Sequence, residues 1–125
     1  MRGVWRLLLA RPDAVPEARH AVGELGLREE QAPTVELLTS ELVSNAVLHG
    51  ARDPHESILV HATREDGRIC VRVCDEGPSA EPEVADAEPL DTNGRGLQLV
   101  DALATRWGTE HDGIKCVWFE LAAAA

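Results

Sequence analysis

Sixteen residues without glycine or proline, Thr34–His49 (TVELLTSELVSNAVLH), constrain the chain more than any other stretch. The run is long and rich in Leu, Val and Ala, so it reads as a helix. At 100° per residue, Glu41 and Asn45 lie about 40° apart, one turn along one face. Leu37, Leu38, Leu42 and Leu48 flank them, while Ser40 and Ser44 lie to one side. A carboxylate and an amide inside an apolar stripe must find partners, because burying an unpaired charge costs several kcal/mol. Either the protein supplies those partners or a ligand does.

The setting for that helix is a single domain, residues 1–125, large enough for one core. With 44% hydrophobic and 27% charged residues, the balance is that of a folded globular chain. A formal charge of −10 disfavours nucleic acid or an anionic membrane as the main partner. It still allows a nucleotide, whose charge backbone N–H groups and a divalent cation can meet locally. Lys115 is the only lysine, and no Walker-type G-x-x-x-x-G-K-[ST] loop occurs. Cys70 and Cys74 fall on one strand about 13 Å apart at ~3.3 Å per residue, too far to bond. Cys116 is distant in sequence and no zinc-like spacing is present, so all three read as small buried thiols in a reducing compartment. The apolar Leu7–Leu9 run is too short for a membrane span. The expected location is the cytoplasm.

Along the chain, Val4–Ala10 reads as a strand ended by Arg11-Pro12. Asp13 is placed to cap a first helix, in which Ala14, Ala18, Ala21, Val22 and Leu25 recur at helical spacing and Gly26 is the stop. Pro33 opens the second helix and Gly50 closes it. Ser57–Thr63 and Arg68–Cys74 form a hairpin around Glu65-Asp66-Gly67. Alternation puts Ile69, Val71, Val73 and Asp75 on one face, so Asp75 points inward at the strand's end. Ser79–Asn93 is aperiodic and rich in Pro, Ala, Glu and Asp, as functional lids often are. Beyond the Gly94-Arg95-Gly96 turn, Leu97, Val100, Leu103, Ala104 and Trp107 mark a third helix, and Ile114–Leu121 is a last strand. The order β-α-α-β-β-lid-α-β-β predicts an α+β fold. It would be a two-layer sandwich, with a mixed, mostly antiparallel sheet and its helices on one face.

Three separated motifs lie on these elements. Glu41-Leu42-Val43-Ser44-Asn45-Ala46-Val47-Leu48-His49-Gly50 resembles the N-box of the GHKL (Bergerat-fold) ATPase superfamily. Val73-Cys74-Asp75-Glu76-Gly77 resembles its G1 box, and Gly94-Arg95-Gly96-Leu97-Gln98-Leu99-Val100 its G2 box. Within that superfamily, Asn45-Ala46-x-x-His49-Gly50 and the closing Val117-Trp118-Phe119-Glu120-Leu121 look most like small bacterial anti-sigma factor serine/threonine kinases.

The resemblance implies a role for each residue. Asn45 would ligate Mg²⁺ through its amide oxygen. Glu41 would be the general base towards a serine hydroxyl or a water. Asp75 would accept from the adenine amino group, a bond whose loss costs ~1–3 kcal/mol, and Gly77 would let the backbone approach the base. Gly94, Arg95, Gly96 and Leu97 would bring the third helix's N-terminus to the ATP phosphates, beneath a lid at about residues 78–95. Cys116 stands where such kinases commonly carry a Thr that supports adenine recognition, and Pro78-Ser79 replaces the usual continuation of the G1 box. The implied function is an Mg·ATP-binding anti-sigma kinase that phosphorylates an anti-sigma antagonist. Its partners would be a sigma factor, the antagonist, and a second copy in a homodimer. The alternatives are a non-catalytic ATP-binding switch module and a weak ATPase acting on water.

Overall fold

The computed structural model describes residues 1–51, 53–76, 92–111 and 113–122, with the side chains of 92–96 excepted. Its elements are β1 (Arg2–Leu9), α1 (Ala14–Gly23), α2 (Ala32–Asn45), β2 (Ser57–Glu65), β3 (Arg68–Asp75), α3 (Thr92–Leu103), β4 (Arg106–His111) and β5 (Lys115–Leu121). The five strands form one antiparallel sheet in the order β1-β2-β3-β5-β4. The α+β class holds, with the sheet antiparallel throughout rather than mixed.

Period-two alternation decides which face of the sheet is covered. Val4 and Leu8 from β1, Ile58, Val60 and Ala62 from β2, Ile69, Val71 and Val73 from β3, and Phe119 from β5 are buried on one face. Against them pack Ala18, Ala21 and Val22 of α1, Val35, Leu38, Leu42 and Val43 of α2, and Val100 of α3. The β2–β3 hairpin closes through the two residues Asp66 and Gly67, at φ of 53° and 80°. Two left-handed residues match the right-handed twist of the strands, which fixes Glu65 opposite Arg68 and with it the register down to Asp75.

Several expected boundaries shift. Asp13 occupies the α1 N-cap position but makes no side-chain cap bond there. Trp107 belongs to β4, not to the third helix: it pairs with Phe119, and its indole Nε1–H donates to Asp101 of α3 at 2.8 Å. The helix stops before it because Thr105 N–H donates to the Glu120 carbonyl at 2.8 Å, drawing the chain into the sheet. Leu37 and Leu48 are exposed, so the apolar stripe of α2 is narrower than its sequence suggests and Glu41 and Asn45 lie at its edge, half-buried.

Candidate functional site

The α2 helix does not end at a simple cap. After Asn45 it widens into a single π turn, Ala46–Gly50, closed by Ala51 N–H donating to Ala46 O at 2.8 Å. Such turns concentrate at functional positions because the extra residue re-aims the chain. This one delivers Gly50 onto the end of β3. A Cβ on Gly50 would fall within 2.6 Å of the Asp75 carboxyl carbon, closer than real side chains approach. Glycine is needed here for close approach rather than for a positive φ.

Beneath Gly50, Asp75 is 4% exposed. Its register partner across β3 and β5 is Lys115, whose Nζ stands 3.7 Å from Oδ2 with the side chain 14% exposed. Glu76, the next residue, accepts from Ser57 N–H at 3.0 Å and ties the end of β3 to the start of β2. Glu41 and Asn45 lie on α2 ahead of Gly50. Neither makes a side-chain hydrogen bond or ion pair among the described residues. The described residues leave the polar pair of α2 without a side-chain partner, and its half-exposure makes that tolerable.

The phosphate-side elements differ from expectation in one respect. α3 begins at Thr92, so Gly94, Arg95 and Gly96 form its opening turns instead of a turn before it. The first four N–H groups of a helix, from the N-cap to its third residue, have no intrahelical acceptor, so of these three only Gly94 lies at such a position. Leu97 is half-buried against the core. Gly77 and the lid up to residue 91 lie outside the described residues.

The cysteine reading is corrected. Cys74 and Cys116 face each other on β3 and β5 with Cα atoms 4.0 Å apart, and they form a disulfide. Distance in sequence does not keep Cys116 unpaired, because the sheet brings residues 42 positions apart into register. Only Cys70 is a free thiol, and burial raises its pKa. The argument from free thiols to a reducing compartment loses its basis. By strand alternation Cys116 also lies on the face opposite Asp75, so its side chain does not stand beside that carboxylate. Lys115 does. The sequence signals for Lys115 and Gly50 are a lone lysine one residue before the expected Thr position and a helix-stop glycine followed by extended chain.

A match over residues 8–120 to the family described as the histidine kinase-like ATPase domain decides the affiliation. The chain belongs to this family. It is also 31% identical to the Anti-sigma F factor of Lysinibacillus sphaericus, across 70% of each chain. Its fold is similar to the histidine kinase domain from the Erythrobacter litoralis EL346 blue-light activated histidine kinase. The TM-score is 0.56 at 18% identity, over 90% of this chain and 60% of that one. The GHKL resemblance carried by the three boxes is borne out, and membership of an ATPase domain family implies nucleotide binding. Among the described residues no helix is long and apolar enough to cross a membrane.

Proposed function

We propose that this chain is an Mg·ATP-binding anti-sigma regulator that holds a sigma factor and transfers phosphate to a serine of an anti-sigma antagonist. The observation that carries this reading is the buried Asp75 beneath Gly50, with Glu41 and Asn45, which have no side-chain partner among the described residues, on the helix leading to it. Asp75 accepts from the amino group of the base. The N–H groups at the start of α3 face the phosphates.

Magnesium fits Asn45 in donor chemistry. Its amide oxygen is a hard ligand with no hydrogen-bond partner among the described residues. Among those residues no group of three or more His, Cys, Asp or Glu could hold an ion by itself. That is the pattern of a cation held mainly by phosphate oxygens and water, with one or two protein ligands. When bound, the ion neutralises charge developing on the transferred phosphoryl group. Glu41 receives the proton of the attacking serine hydroxyl, and its half-exposed carboxylate is free to do so.

The test is incubation of the full chain with labelled ATP and candidate antagonist domains. Transfer by wild type should exceed that by Glu41→Ala by at least about 100-fold, the usual span for a general base. Equal transfer by both proteins removes the kinase assignment. A non-catalytic switch is the second reading, favoured by Cys116 being held in a disulfide on the far face. Tight ATP binding without transfer or hydrolysis would support it, and phosphate release without any protein substrate would point to a weak ATPase. Acting on a sigma factor places the protein in the cytoplasm, and a homodimer is part of the same proposal.

A further inference from the structure

The chain's one lysine, Lys115, stands opposite Asp75 on the β3–β5 ladder. We infer that Lys115 is a specificity residue, donating a hydrogen bond to the ring nitrogen N1 of a 6-aminopurine whose amino group Asp75 accepts. The inference rests on the nucleotide reading above and names a contact that reading does not require.

Three observations carry it. Lys115 sits directly opposite Asp75 in the β3–β5 register, so both side chains rise from the helix-covered face. Its side chain is 14% exposed, an unusual place for a strongly hydrated ammonium group. Its Nζ stands 3.7 Å from Asp75 Oδ2, close enough for charge attraction but beyond hydrogen-bonding distance. No other partner of Lys115 occurs among the described residues. Lysine has three N–H donors, and none is engaged at hydrogen-bond distance among the described residues. The Asp75–Lys115 rung therefore sets an acceptor beside a donor.

The Watson–Crick edge of a 6-aminopurine presents the complement: an amino donor adjacent to the N1 acceptor. A base edge facing the two side chains, which stand side by side 3.7 Å apart, meets both at once. The disulfide strengthens the assignment, because Cys116 cannot supply a hydroxyl-like donor from the opposite face. The residue before it, by alternation, can. Gly50 packs closely against the same carboxylate.

The experiment measures equilibrium binding of Mg·ATP and of its 1-deaza analogue, in which C–H replaces N1, to the full chain. Wild type should bind the analogue on the order of tenfold or more weakly, the usual effect of losing a hydrogen bond to a charged group. Lys115→Met should bind ATP about as weakly as wild type binds the analogue, and should not distinguish the two ligands. Lys115→Gln, which keeps a donor, should recover part of the discrimination. Equal binding of both ligands by wild type overturns the inference, as does discrimination that persists in Lys115→Met. The first comparison needs no variant, so a folding defect in Lys115→Met leaves it decisive. Absence of ATP binding to wild type overturns the nucleotide reading and this inference together. ATP binding that depends on Asp75 but ignores N1 overturns only the inference.

Discussion

Gly50 packs its Cα against a carboxylate, and that contact joins the end of α2 to the end of β3. Gly50→Ala should therefore push Asp75 aside or distort the π turn. A loss of ~1–3 kcal/mol is expected, as for overpacking in a tight site, read by urea denaturation. Nucleotide affinity should fall with it. A variant of wild-type stability would show that the close approach is not rigid. A second residue acts on the uncovered face, where His61 stacks on Trp5 with ring centroids 3.6 Å apart. Burial first, and the charge of Arg72 second, lower the His61 pKa. Below the ordinary histidine value the unfolded chain takes up a proton that the native ring resists. The contribution is thus complete above that value and is lost as pH falls through the lowered native one. His61→Phe keeps a ring against Trp5 and should lose less stability than wild type between pH 7 and pH 5. Parallel denaturation series at the two pH values check this, and identical acid sensitivity would rule it out.

At the scale of elements, β3 and β5 matter most, because neighbouring rungs of their ladder do different work. The Asp75–Lys115 rung faces the helices and the Cys74–Cys116 rung faces away. Cross-linking residues 42 positions apart restricts the unfolded chain, a stabilisation typically of ~2–4 kcal/mol. Replacing both cysteines with serine, or adding reductant, should lower the unfolding free energy by about that amount. If the site is held by the hairpin register and Gly50, nucleotide affinity should change less than stability does. A midpoint insensitive to reductant would show that the native state is not covalently tied there. The helical element shows the complementary lesson. Its sequence marks Glu41 and Asn45 as polar on an apolar helix, but which of the surrounding leucines are buried depends on the neighbours. Leu38 and Leu42 meet the sheet while Leu37 and Leu48 do not.

In the whole molecule, two layers put all three helices on one face of the sheet. The other face is left to Trp5, Leu7, His61, Arg72 and Glu110, with an Arg72–Glu110 ion pair at 2.8 Å. Trp5 and Leu7 are 59% and 70% exposed, which alternation permits because β1 is an edge strand with one covered face. The site lies on the covered side, where the ends of α2, β3 and β5 meet. Much of this was determined locally. Period-two alternation sent Asp75 inward, the Asp66-Gly67 turn set the β2–β3 register, and the spacing of Glu41 and Asn45 put both on one helix face. Those are properties of a chain segment and its immediate neighbours, so sequence carries them. Tertiary structure alone decided which distant residues share a rung. It made Cys74 and Cys116 partners, set Lys115 rather than Cys116 beside Asp75, moved Trp107 from helix to strand, and set Gly50, read as a helix stop, against the Asp75 carboxylate. The first two depend on the pairing of β5 with β3, the third on that of β4 with β5, and the last on the π turn packing against β3, and no local pattern encodes which residue meets which across such distances.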